Sequence, residues 1–152
     1  MKIYDCFPFF CELDLLEIRL TELYDHVDHF VIAEGSTTFT DIPKPYYFED
    51  NKERFKPFLD KIIHIKVDDM PHSKDAWVND RFQRNALNRG LVDAQDGDII
   101  LDSDLDELIR PEIIDEMRND NNTAVWGMRM PLFNFKFYYM MVTADFYSVW
   151  GM

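Results

Sequence analysis

Four short apolar runs, separated by stretches of helical spacing, limit what this chain can fold into. Residues 2–10 are apolar and β-rich, 29–33 read HFVIA, 61–67 read KIIHIKV and 98–101 read DIIL. Continuous runs of this length suit strands buried on both faces, as in parallel sheets. Between them, residues 12–24 place Leu15, Leu16, Ile18, Leu20 and Leu23 where one helix face would carry them. Residues 47–58 and 74–94 predict two further helices, the second with Trp77, Phe82, Leu87 and Leu91 as its inner stripe. Pro111 suits the first turn of a helix over 111–118, because its missing N–H is not needed there. Residues 123–149 are β-like and dense in aromatics. Strands alternating with helices predict an α/β fold: a largely parallel sheet, helices on both faces and a β-rich aromatic C-terminal segment. With no repeat and no linker in 152 residues, one domain spanning 1–152 is expected.

Charge narrows the function. The chain has 16 Lys+Arg and 29 Asp+Glu, a net charge of −13. Phosphate-backbone recognition needs a basic face, so nucleic acid is not an expected partner. Anionic membrane surfaces are disfavoured for the same reason. The longest apolar run falls far short of the ~20 residues that span a bilayer. Asp5 and Glu12 interrupt the N-terminal apolar stretch where a secretory leader would have no acid. The chain therefore reads as cytoplasmic, with Cys6 and Cys11 as buried thiols rather than a bridge.

In open parallel sheets, ligands bind beyond the carboxyl ends of the strands. Acidic residues fall at that edge three times: Glu34, Asp68, and the cluster Asp102, Asp104, Asp106 and Glu107. Four carboxylates in six residues repel one another, and a divalent cation relieves that repulsion. Mg²⁺ or Mn²⁺ uses one or two carboxylates and fills its shell with phosphate oxygens and water. Asp-x-Asp after a buried strand is thus suited to holding a diphosphate through a metal. An EF-hand loop starting at Asp102 fails, because Glu107 and Ile113 stand where Gly and Glu are required. An aspartyl phosphatase or phosphotransferase is disfavoured by Leu108, where Thr or Val is expected. The same acids could also turn the chain and cap the next helix.

Arg81, Arg84 and Arg89 share a helix in an otherwise acidic protein. Each could pair with a neighbouring acid such as Asp80 or Asp93, and Arg84 could instead meet a diphosphate through its planar fork of donors. His26, His29, His64 and His72 lack zinc-ligand spacing, and His64 reads as a packing residue within its strand. Dinucleotide, P-loop and nucleophile-elbow motifs are absent from the sequence.

Four segments in order, KIYDCFPFFCELDLLEIRLTEL, VDHFVIAEGSTTFTDIPKPYYFEDN, DAWVNDRFQRNALNRGL and DGDIILDSDLDELIRPE, resemble glycosyltransferase family 17. That is the family of the bisecting β-1,4-N-acetylglucosaminyltransferase. The resemblance implies a GT-A-like, Rossmann-type fold and a metal-dependent inverting transfer of a sugar, N-acetylglucosamine, from a UDP-sugar donor to a glycan hydroxyl. Asp104 and Asp106 match the family's Asp-x-Asp, which would bind Mn²⁺ or Mg²⁺. Glu34, Asp68, Arg84 and Asn85 are the corresponding donor-binding candidates. The general base is unassigned, with Glu107 the sole candidate. Family members continue beyond the equivalent of Met152, so the acceptor-side C-terminal part and the animal enzymes' membrane anchor are expected to be missing. A non-catalytic module that binds nucleotide-sugar and metal is the alternative.

Overall fold

The computed structural model describes residues 1–120, 125–129 and 147–151. The chain order is β1 (Ile3–Phe9), α1 (Leu13–Leu23), β2 (His29–Gly35), α2 (Tyr47–Asp50), β3 (Ile62–Val67), α3 (Ala76–Asn85), β4 (Ile99–Asp102), α4 (Pro111–Asn119), β5 (Trp126–Arg129) and β6 (Tyr147–Gly151). Short 3₁₀ turns at Lys52–Phe58 and Ala86–Gly90 follow α2 and α3. The strands form one sheet in the order β3-β2-β1-β4-β6-β5. The pairs β3–β2, β2–β1 and β1–β4 are parallel, and β6 pairs antiparallel with both β4 and β5. The α/β expectation and the parallel core hold. The greater part of the expected aromatic β segment, 123–149, lies outside the described residues. Among the described residues no helix is long and apolar enough to cross a membrane.

Period-two alternation distributes the parallel strands between two cores. Ile3, Phe7, Phe9, Phe30, Ile32 and Leu101 face α1, α4 and the segment carrying Phe48 and Phe55. Tyr4, Cys6, Val31 and Ala33 face the 3₁₀ turn that carries Ala86 and Leu87. The sheet is thus covered on both sides. Gly90 allows that turn to approach β2, since a Cβ there would lie 2.5 Å from Val31 Cγ1 and 3.2 Å from Ile63 Cγ2.

Four expectations need correcting. In α1 the buried positions are Leu16, Arg19, Leu20 and Leu23, whereas Ile18 is exposed. Arg19 is fully buried because Asp5, at a core-facing position of β1, meets it (2.7 and 2.9 Å). The long helix over 74–94 is instead ten residues of α-helix followed by a 3₁₀ turn, and the face it buries is polar: Asn79, Asp80 and Gln83. Trp77 is 71% exposed. The 47–58 helix breaks at Asn51, with Pro57 inside the 3₁₀ turn that follows. Cys6 is buried within β1, where desolvation pushes its thiol well up, but Cys11 lies in the turn after β1 and is exposed; both are free.

Candidate functional site

A cavity of about 510 Å³ opens beyond the carboxyl ends of β1 and β2, beside the turn after β4. Its floor and walls are Pro8, Phe9 and Phe10 after β1, the loop Thr37 to Thr40, Gln83 and Arg84 of α3, and Asp104, Leu105 and Asp106. Glu12, Leu15 and Lys44 complete the lining. The chain reverses there because the strands terminate together: Phe9 is paired with Glu34, and Gly35 with Val67. Gln83 locks α3 to that edge by donating to the carbonyls of Ala33 (2.8 Å) and Phe9 (3.3 Å). Asn79 does the same for the 37–40 loop, donating to the carbonyl of Phe39 (2.8 Å). The polar buried face of α3 is explained by these bonds, since the strand and loop carbonyls it covers must be satisfied.

The Asp-x-Asp turn is held from beneath by Arg19. Its Nη1 donates to the carbonyls of Asp104 (2.7 Å), Leu105 (3.1 Å) and Glu107 (3.2 Å). Its Nη2 donates to Ser103 Oγ (2.6 Å) and Asp5 Oδ1, and its Nε to Asp5 Oδ2. All five guanidinium N–H groups therefore have acceptors, and the plane lies over the Phe7 ring, 4.5 Å from its centroid. Neither Asp5 nor Arg19 figures among the sequence-derived candidates. The detectable signal is an acid inside an apolar strand and a base inside the apolar stripe of the next helix.

On the cavity side, Arg84 Nη2 pairs with Asp104 Oδ1 (2.6 Å) and its Nε with Asp80 (3.0 Å). Desolvation acts to lower the Arg84 pKa, but Asp104 and Asp80 outweigh it and the net shift is upward. Asp106 is exposed and also lines the cavity. Desolvation raises the carboxyl of Asp102; Arg84 opposes that shift and Asp104 adds to it. Glu107 is folded back on the turn, accepting from the Asp104 backbone N–H (2.9 Å). Arg89 pairs with Asp69 rather than with Asp93.

The structure thus brings together Arg84, Asp104 and Asp106 at the cavity, with Glu107 held on the same turn, and sets Glu34, Asp68 and Asn85 apart from it. Glu34 is fully buried, accepting from the Phe48 N–H (3.3 Å) and pairing with Lys44 Nζ (3.4 Å) and His64 Nε2 (3.0 Å). It anchors the start of α2 and is not among the lining residues. His64 is accordingly more than packing, since its other nitrogen faces Glu49 at 3.5 Å. Asp68, exposed after β3, accepts from the Tyr46 hydroxyl, and Asn85 is exposed; neither lines the cavity. Lys44 and Glu12 do line it, unanticipated from the sequence. Burial lowers the Lys44 pKa, opposed by Glu34.

Among the described residues no three His, Cys, Asp or Glu side chains converge as a metal cage. Two carboxylates on one cavity wall do fit a hard cation that takes its remaining ligands from phosphate and water. An anionic group entering this cavity meets Arg84 and can share a cation with Asp104 and Asp106.

The chain is 30% identical over 105 residues to the β-1,4-mannosyl-glycoprotein 4-β-N-acetylglucosaminyltransferases of Homo sapiens and Rattus norvegicus, and 29% identical to that of Mus musculus. The matches cover 64% of this chain and 20% of each relative, so the chain spans about a fifth of the length of the curated relatives it matches. No solved structure matches. The family model described as glycosyltransferase family 17 matches residues 1–149, and the chain belongs to that family.

Proposed function

We propose that residues 1–152 form the donor-binding core of a metal-dependent, inverting glycosyltransferase with a GT-A-like fold, taking N-acetylglucosamine from its UDP donor to a glycan hydroxyl. The observation that carries this reading is the cavity itself: Arg84, Asp104 and Asp106 converge beyond the ends of parallel strands, where such sheets bind ligands. In this reading Asp104 and Asp106 hold Mn²⁺ or Mg²⁺, and the cation supplies charge neutralisation for the diphosphate as it departs. Arg84 donates to diphosphate oxygens in the bidentate geometry suited to phosphate. Arg19 fixes the backbone of the turn that carries the two carboxylates, so the turn itself is set before the donor arrives. Glu34 and Asp68 then act at a distance from the donor, through Lys44 and Tyr46 respectively.

Inversion requires a base for the acceptor hydroxyl. Glu107 is spent on the Asp104 N–H, which favours a second reading in which the chain binds the donor without transferring the sugar. Calorimetric titration of UDP-N-acetylglucosamine with Mn²⁺, repeated with EDTA and run beside a UDP-release assay, distinguishes the two. Metal-dependent binding with UDP release supports the transferase. Binding without release supports the donor-binding module, and no binding in either buffer contradicts both.

A further inference from the structure

Arg84 is committed twice in the free protein. Its Nε donates to Asp80 Oδ1 (3.0 Å), one turn earlier in α3, and its Nη2 donates to Asp104 Oδ1 (2.6 Å). Both members of the second pair line the cavity and both side chains are partly exposed, so the pair stands within reach of an entering ligand. Asp104 is held at both of its backbone groups: Glu107 accepts from its N–H (2.9 Å) and Arg19 donates to its carbonyl (2.7 Å). The part of Asp104 left free to change partner is therefore its carboxylate. That carboxylate is one of the two proposed above to hold the cation, so guanidinium and metal compete for one group.

The competition disfavours the metal on its own. Asp104 Oδ1 cannot serve a cation while Nη2 holds it, and Oδ2 would bring one to within a carboxylate's width of the guanidinium, where like charges repel. Asp80 anchors Arg84 through Nε, so the guanidinium does not leave the wall. Asp106 alone is then unclaimed, and no third His, Cys, Asp or Glu converges there among the described residues. A diphosphate removes the conflict: its oxygens accept from an Arg fork in bidentate geometry, and between guanidinium and cation it replaces one repulsion by two attractions. We propose that the Arg84–Asp104 pair is a latch that closes the site to the metal alone; a diphosphate draws Arg84 to its own oxygens and frees Asp104, so that the site takes metal and donor together rather than in turn. The latch rests on the donor-site reading above.

The test uses the full chain as wild type, Arg84→Gln, Arg84→Lys and Arg81→Gln, at about 0.15 M salt, where exposed charges further apart than roughly 8 Å are largely screened. Arg81 lies on the same helix, is exposed, does not line the cavity and pairs with no acid among the described residues. Free Mn²⁺ is followed by electron paramagnetic resonance without nucleotide, UDP is titrated calorimetrically in excess Mn²⁺, and urea unfolding establishes that each variant is folded. Arg84→Gln should bind Mn²⁺ alone about 3- to 10-fold more tightly than wild type. Its affinity for UDP in excess Mn²⁺ should fall by at least the same factor, because the coupling between the two ligands is reciprocal. Arg84→Lys keeps the charge but cannot span Asp80 and Asp104 with a planar fork, and should tighten Mn²⁺ binding by a smaller factor. Arg81→Gln should change neither affinity. A residue that only contacted phosphate would show the UDP loss without the metal gain. Mn²⁺ affinity unchanged or lowered in Arg84→Gln overturns the latch, and so does UDP affinity left unchanged there. Equal tightening in Arg81→Gln also overturns it, since the effect would then be one of net charge. Should Arg84→Gln fail to fold, Arg84→Lys decides on the same criteria. In each of these cases, UDP binding that still requires Mn²⁺ leaves the donor site standing. A wild type that does not bind UDP in Mn²⁺ overturns the donor-site reading, and the latch with it.

Discussion

Replacing Arg19 by Met tests the buried scaffold beneath the Asp-x-Asp turn. The side chain is 0% exposed, as is its partner Asp5, and it donates to Asp5, Ser103 and three backbone carbonyls. Methionine fills much of the volume but leaves the Asp5 carboxylate buried without a counter-charge. Removing one partner of a buried pair costs about 3–5 kcal/mol. With a urea dependence on the order of 2 kcal/mol/M, the unfolding midpoint should fall by about 1.5–2.5 M. That is a large share of a typical total stability of ~5–15 kcal/mol. The double variant Asp5→Leu, Arg19→Met removes the stranded charge and should recover part of the loss. Recovery should be incomplete, because the carbonyls of Asp104, Leu105 and Glu107 still lack their donor. Equilibrium urea unfolding of the three proteins is the assay. A single variant within about 1 kcal/mol of wild type, or a double variant no more stable than the single, refutes the claim that this pair is desolvated and supports the turn.

Two further perturbations test other parts of the fold. The Asp98 carboxylate is held below its usual range by the backbone N–H groups of Lys2 and Gln95. Its contribution is present above the ordinary carboxylate pKa of about 3.9 and is lost as pH falls through the lower folded value. Asp98→Asn should therefore be less stable than wild type near neutrality, the two curves converging at acid pH. Parallel curves throughout would mean the carboxylate is not specifically held. Gly90→Ala places a Cβ 2.5 Å from Val31 Cγ1, and overpacking of this kind costs about 1–3 kcal/mol; thermal unfolding that is unchanged would show that the turn does not dock on β2 as described.

The sequence made the strand pattern plain because a buried parallel strand must be apolar on both faces. HFVIA and DIIL could hardly have been surface segments. The Asp-x-Asp turn was legible for a related reason: four crowded carboxylates have few stable explanations. The buried ionic parts were not legible. Arg19 and Asp5 lie 14 residues apart, and pattern reading assigns each to a solvated face unless the two are considered together. Glu34 was read as facing a ligand because it ends a strand, but its parity with Phe30 and Ile32 turns it toward Phe48 and His64 instead. Of the apolar stripe expected through Trp77, Phe82, Leu87 and Leu91, Leu87 is buried and Phe82 and Leu91 pack against the same core, while Trp77 is exposed. Helix α3 covers strand and loop carbonyls, and Asn79 and Gln83 are the residues that can satisfy them. Arg84 was recognised with its alternatives open, and it now has both an acid partner, Asp80, and a cavity position.

The most direct test of the donor-site account is the Mn²⁺-dependent affinity for UDP in wild type and in Asp106→Asn. Asp106 is exposed and pairs with no cation among the described residues, so the substitution should leave stability within about 0.5 kcal/mol of wild type. The account predicts that wild type binds UDP only with the metal and that Asp106→Asn loses at least about tenfold in affinity, as expected when one of two carboxylate ligands is removed. Equal, metal-independent affinity in the two proteins would contradict it.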